Sequence, residues 1–328
     1  MIVVNLSRIK EFAKLVKNLR IKIDPFNNPN FFPPEEDSNE NVSRFFIFMV
    51  AIDHRTSHKG MRFEGFIDGK FYHGSDLLYR LGMIKYLEDP EFFSPSRMAK
   101  INESDIKNWL SLGKNSNIKI WDPKIRTYLL QDVGEKILKL YNGKVMNVIS
   151  SSRGHLRNLG YGFIERLKVF SAFQDPVEKK PFLLAKFLSR RGILNIKDPE
   201  NIHVPVDNHL IRIAIRFGLI DPIASTEKLF TSWGNKEISW TDDIIIRLQI
   251  RRAYRMVADY SRVNPFILDD LLWSLGRDIC IWSNPLCDKG RTKILEGQGC
   301  PFRHACLGYS EGRRKYWNEP YYYNTWYY

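Results

Sequence analysis

Apolar positions recur at helical spacing along most of this chain, and the departures from that spacing mark its other elements. Residues 1–20 place apolar side chains on one face and basic ones on the other, which predicts a short amphipathic helix. The stretch "DPFNNPNFFPPEEDSNENV" (24–42) has no period, and its prolines, asparagines and acids predict a loop. "SRFFIFMVAID" follows as an apolar run expected to be buried. In "RFEGFIDGKFYHG" (62–74) aromatics alternate around Asp68-Gly69, a hairpin signature. From Ser75 onward the spacing is mainly helical, with breaks at "EDPEFFSPSR", "SLGKNSN" and "YNGK". No internal repeat occurs. The expected fold class is mainly α, with a small N-terminal β element.

Two later stretches combine this patterning with unusual polar residues. In "FQDPVEKKPFLLAKFLSRRG" (173–192), Asp175 can cap a helix, Pro176 suits its first position and Glu178 its third. Pro181 allows a restart there. Lys179 and Lys186 stand seven apart, so an uninterrupted helix puts both on one face. Lys186 interrupts the apolar "FLLAKFL". Its ammonium either reaches out to water or is desolvated, and a desolvated amine suits Schiff-base chemistry. In "VPVDNHLIR" (204–212), Asp207 opens a helix whose Leu210, Ile211, Ile213, Ala214, Ile215 and Phe217 read as buried. An aspartate there is a common N-cap, so capping alone would explain it.

Composition narrows the partners. At 328 residues the chain suits about two domains, and 44% hydrophobic residues can build a core. Lys and Arg outnumber Asp and Glu by 50 to 37, a formal charge of +13. A surface enriched in lysine for heat tolerance raises Glu together with Lys, so a one-signed excess points to a polyanion, nucleic acid first. Arg247, Arg251, Arg252 and Arg255 in "RLQIRRAYR" are the first candidate phosphate contacts. No secretory or membrane-spanning segment is read, so a cytoplasmic protein with no membrane partner is expected. No protein partner can be inferred.

All four cysteines fall within 27 residues: Cys280, Cys287, Cys300 and Cys306, spaced C-x6-C-x12-C-x5-C. In a cytoplasmic chain such a cluster suggests metal ligands before disulfides. Zinc favours tighter pairs, whereas four thiolates can hold a 4Fe-4S cluster over varied spacing; both stay open, as do free thiols or disulfides. Lys289, Arg291, Lys293 and Arg303 in this loop could face phosphates. The aromatic tail "YWNEPYYYNTWYY" could stack on bases or pack back on the fold.

Together these stretches resemble the helix-hairpin-helix DNA glycosylase superfamily, the group that includes endonuclease III. In that family an Asp follows a Pro-Val pair and opens a helix, as in "VPVDNHLIRIAIRFGL". Its cluster loop, C-x6-C-x2-C-x5-C, is matched in the outer gaps, and the middle gap here is ten longer. The family's L-P-G-V-G hairpin string is absent. Over roughly 170–277 the chain is similar to archaeal 8-oxoguanine glycosylases, which also lack that string. Asp175-Pro176 with Lys179, then Lys186, then Pro205-Val206-Asp207, then "LDDLLW" ending at Trp273 match them in order. Residues 30–207 more loosely resemble queuosine-salvage nucleoside glycosidases.

The resemblance implies a two-lobed helical glycosylase fold with a C-terminal 4Fe-4S loop held by the four cysteines. It implies a DNA N-glycosylase that releases an 8-oxoguanine-like purine, with duplex DNA carrying a flipped base as partner. Asp207 would be catalytic, stabilising an oxocarbenium-like sugar. Lys179 would be the Schiff-base nucleophile of a β-lyase, Lys186 would shape the base pocket and Trp273 would stack on the base. The corresponding regions are 1–95 (helix and β-hairpin), 96–279 (glycosylase core), 280–306 (cluster loop) and 307–328 (tail). The alternatives are a queuosine-type nucleotide N-glycosidase and a non-catalytic nucleic-acid-binding protein of the same fold. His209 reads as structural. His54, His58 and His73, with Asp53 and Asp76, fit no zinc spacing.

Overall fold

The computed structural model of the protein describes residues 2–58, 60–112, 117–222 and 237–328; most of the break expected at "SLGKNSN" lies outside them. The chain enters through strand β1 (Ile2–Val4) and helix α1 (Leu6–Lys17). Asn5 caps α1 by accepting the Arg8 N–H, and Ile9, Phe12, Ala13 and Val16 form its buried stripe. The apolar run becomes helix α2 (Asn39–Ala51), capped by Ser38. Every residue from Phe45 to Ala51 is buried, as in a helix apolar on all sides.

Strands β2 (Ser57–His58) and β3 (Met61–Arg62) form a short pair before the expected hairpin. There β4 (Glu64–Ile67) runs antiparallel to β5 (Lys70–His73), with Phe66 opposite Phe71 and Ile67 opposite Lys70. Asp68 (φ 50°) and Gly69 (φ 74°) both adopt the left-handed region that such a two-residue turn requires. Helices follow: α3 (Gly74–Glu88), α4 (Pro95–Met98), α5 (Glu103–Leu110), α6 (Pro123–Leu140), α7 (Val145–Ser150), α8 (Phe163–Leu167) and α9 (Lys179–Arg190). After α10 (Asn208–Phe217), strand β6 (Ile220–Pro222) pairs with β1. Helices α11 (Trp240–Ser261), α12 (Pro265–Asp278) and α13 (Leu307–Ser310) come last. The protein is mainly helical, and no helix among the described residues is long and apolar enough to cross a membrane.

The chain divides into two compact units. The first joins residues 1–24 to 202–325, and the second holds 25–201 with 326–328. Divisions at 95/96 and 279/280 therefore fall inside units. The first unit is discontinuous because α1 packs into it: the Phe12 ring lies 4.6 Å from Phe217 and 4.3 Å from Phe302. The tail packs back as well, with Trp317, Asn318 and Glu319 buried in the first unit.

Helix α9 starts later than the Asp-Pro signature suggests. Asp175 accepts the N–H groups of Val177 (3.0 Å) and Lys179 (2.8 Å), so it caps a turn and not the helix itself. Glu178 then sits at φ 63°, which no helix interior tolerates, and α9 begins at Lys179. Pro181 falls in the first turn, where its missing N–H costs nothing.

The L-P-G-V-G string is absent, yet a tight loop precedes α8. The N–H groups of Asn158, Gly160 and Gly162 converge on one oxygen of Glu165 at 3.1, 3.0 and 2.8 Å, and Leu159 at the tip is 97% exposed.

Candidate active site

In the first unit Asp207 is the N-cap of α10, its Oδ1 accepting the Leu210 N–H at 3.0 Å. The capping expected from sequence is therefore present. The carboxylate is half-exposed, and its second oxygen accepts no hydrogen bond from the described residues. One residue thus caps a helix through one oxygen and leaves the other without a hydrogen bond from the described residues.

Its neighbours come from α11 and α12. Arg247, Arg251 and Arg255 follow one another at four-residue intervals, so they share one face of α11. Arg247 is fully buried, pairs with Asp243 at 3.6 Å and donates to the Val206 carbonyl at 3.4 Å. Arg255 donates to the Ile202 carbonyl at 3.0 Å and pairs with Asp259. This face holds the extended segment that leads into Asp207. Arg247 is therefore not a phosphate contact, because a guanidinium without exposed surface cannot reach one. Arg251 and Arg255 are half-buried, and of the four only Arg252 is exposed.

Trp273 is half-buried on α12. Its ring meets the edge of His209 at 6.2 Å, and the Arg277 guanidinium lies 4.9 Å over it. Gly276 permits this approach of α12 to α10, since a Cβ there would stand 2.5 Å from the His209 Cβ. Burial holds His209 below its ordinary pKa, and its Nδ1 meets Arg212 at 2.8 Å, in keeping with a structural role.

The cysteine loop is stitched by backbone bonds. Leu286 N–H donates to Ile279 O (2.8 Å), Gly299 to Gly290 (2.7 Å) and Cys300 to Cys287 (2.7 Å). Burial pushes the Cys306 thiol up to about 11, and the nearby Cys280 sulfur adds to it. Burial and the same sulfur also raise Cys287, and burial raises Cys300 strongly. Four sulfurs in mutual electrostatic reach form a donor set that suits a soft metal centre, where a cation would replace the thiol protons. Among the described residues, no three His, Cys, Asp or Glu side chains are already gathered as a metal-holding group. Lys289, Arg291 and Lys293 are exposed around this loop, whereas Arg303 is half-buried and donates to Cys300 O at 3.3 Å.

The second unit holds both lysines singled out by the sequence, and both are buried. Lys186 does not reach out to water: its ammonium lies 5.3 Å from the Phe26 ring centre. Beside it Phe187 meets Phe26 (4.6 Å), Phe46 (5.1 Å), Tyr79 (5.8 Å) and Phe32 (5.9 Å). The Lys179 amine donates to Asp53 O at 3.1 Å and faces the Asp53 carboxylate at 3.6 Å. Tyr79 donates to that same carboxylate at 3.5 Å.

Lys180, which the sequence gave no reason to single out, is fully buried and donates to Ala51 O at 2.5 Å. Burial, then the charge of Lys179, holds its pKa well below an ordinary lysine's. Arg126 donates to Ile52 O and to Arg55 O. The carbonyls of Ala51, Ile52 and Asp53, at and just past the end of α2, thus gather three basic side chains. Asp122 joins Arg126 (2.8 Å) to His54 (2.5 Å), so His54 has a carboxylate partner. His58 stacks on Trp121. Doubled polar residues next to apolar runs, Asp53-His54 and Lys179-Lys180, were the available signal for this cluster. No protein-family model matches this chain, and no curated protein matches it.

Proposed function

We propose that this protein is an N-glycosylase that releases a damaged or modified purine of the 8-oxoguanine type from duplex DNA. The observation that carries the reading is Asp207: a half-exposed carboxylate fixed by a helix N-terminus, with one oxygen open and a half-exposed tryptophan on the adjoining helix. Breaking an N-glycosidic bond builds positive charge on the sugar. A carboxylate held in place near that charge lowers the barrier, because no dipole has to reorganise as the charge appears. Trp273 would receive the flipped base on its open face.

Lys179 is the proposed Schiff-base amine, which would add strand cleavage by β-elimination, and Lys186 the proposed pocket residue. Cys280, Cys287, Cys300 and Cys306 would hold a 4Fe-4S cluster, which would tie the loop into one piece and supply no chemistry to the sugar. Lys289, Arg291, Lys293 and Arg252 would meet phosphates. The test is base release from an 8-oxoguanine duplex by wild type and Asp207→Asn. Asn caps a helix about as well as Asp, so folding should hold while release slows by ~100-fold or more. Full activity in Asp207→Asn would return the residue to a cap alone.

A second reading is a glycosidase on a queuosine-type nucleotide. Its support is the aromatic group of Phe26, Phe32, Phe46, Tyr79 and Phe187 beside Lys186, which suits a free base. Release from the nucleotide and none from the duplex would establish that reading instead.

A further inference from the structure

The second unit places a carboxylate beside a buried amine, and nothing in the sequence pattern joins the two. Lys179 and Asp53 are 126 residues apart, yet the ammonium lies 3.6 Å from the Asp53 carboxylate and 3.1 Å from its backbone oxygen. Both side chains keep a little exposure, 9% and 13%. The neighbouring Lys180 has none, and its amine is spent on the Ala51 carbonyl. Tyr79 fixes Asp53 from α3. The other charged groups of this cluster are committed elsewhere: Asp122 to His54 and Arg126, Glu178 to Arg157 and Lys168, and Asp175 to the backbone N–H groups of Val177 and Lys179. Asp53 is therefore the carboxylate that the Lys179 ammonium faces.

An ammonium has no lone pair and cannot attack a sugar. From this geometry we infer that Asp53 is the proton acceptor that converts Lys179 into a nucleophile, with Tyr79 as its positioning residue. This rests on the lyase reading above. The Lys179 ammonium passes one proton to the Asp53 carboxylate, and the freed lone pair forms the N–C1′ bond as the C1′–base bond breaks. The base leaves with that bonding pair and takes up a second amine proton. On an abasic sugar the same deprotonation precedes addition to the C1′ aldehyde, and the imine forms with loss of water.

The test is borohydride trapping on a duplex with one abasic site, which reduces the imine to a stable amine. Wild type should trap. Asp53→Asn, which keeps size and hydrogen bonding, should trap ~100-fold more slowly, the scale of a lost general base. Asp53→Ala should trap as slowly, and added formate should restore its rate in proportion to concentration, because formate can take the proton. A merely structural role would not respond to formate. Circular dichroism checks that both variants fold, and if Asp53→Ala does not, Asp53→Gly with formate serves in its place. Trapping by Asp53→Asn at the wild-type rate overturns the inference. So does slow trapping in the truncated variant with no response to formate, and both leave the lyase reading standing. No trap in wild type overturns the lyase reading and this inference with it.

Discussion

The Nε of Arg212 donates to the carbonyl of Cys280 at 2.7 Å, so the helix that carries Asp207 at its head also grips the first cysteine of the loop. Arg212 further pairs with Glu319 at 2.6 Å and donates to Gly276 O at 2.8 Å. One turn on, Arg216 donates to Ile281 O, Trp282 O and Trp317 O and lies 3.4 Å from the Cys280 sulfur. Two buried guanidinium groups thus bind the cysteine loop and the start of the tail to α10.

Arg212→Met should destabilise the protein by about 3–5 kcal/mol, because it leaves the buried Glu319 carboxylate without its partner. Denaturant unfolding measures this. A midpoint equal to wild type would mean that the loop is held by other contacts. Arg212→Met with Glu319→Met should recover part of the loss, since no buried charge is then left alone.

The cysteines make a prediction about colour and metal content. Protein purified without oxygen should be brown, with about four irons per chain, and Cys300→Ser should lose iron or fail to fold. Stoichiometric zinc and no iron, in protein made with ample iron, would overturn the cluster.

Stability should fall in two steps on acidification. Burial, with Arg126 and Lys180 nearby, holds the His54 pKa well below 6.5 against the opposing pull of Asp122. Below about pH 6.5 the unfolded chain takes a proton that folded His54 refuses, so stability declines as pH falls. Burial alone would raise Asp122, but Arg126 and His54 bring it from 3.8 to about 2. Its contribution, about 2 kcal/mol, is present above pH ~4 and lost between ~4 and ~2. Denaturant midpoints from pH 7 to 3 for wild type and His54→Gln check the first step. An unchanged slope between pH 6.5 and 4.5 in the variant would assign that step elsewhere.

Duplex affinity should separate the basic residues by burial. Replacing Lys289, Arg291 and Lys293 with Ala should lower the salt slope by about 0.9 for each lost phosphate contact. Arg247→Ala should leave that slope unchanged and destabilise the protein. A reduced slope in Arg247→Ala with normal stability would place that side chain at the DNA.

Local chemistry was legible in the sequence. Asp68-Gly69 dictated its turn, because left-handed backbone at both positions is a property of those residues. Asp207 dictated a cap, because its oxygen reaches an N–H three residues on. The α1 stripe followed from spacing alone. The start of α9 was misjudged because Glu178 takes a left-handed conformation that the Asp-Pro signature does not reveal. The second unit pairs His54 with Asp122, a partner 68 residues away that no local pattern indicates.

What the sequence determined by itself, then, is whatever depends on neighbours within about one helical turn: the hairpin, the caps, the amphipathic stripes and the clustering of four cysteines. Tertiary structure alone decided which charges lie inside. The spacing of Arg247, Arg251 and Arg255 put them on one face, but only packing turned that face inward onto residues 202–206 and left Arg252 outside. Packing likewise brought Asp53 to Lys179 and Arg212 to Cys280, across 126 and 68 residues. The reason is physical. Periodicity specifies which side chains share a face, whereas the cost of burying a charge is met only by the particular partner that the folded chain brings to it.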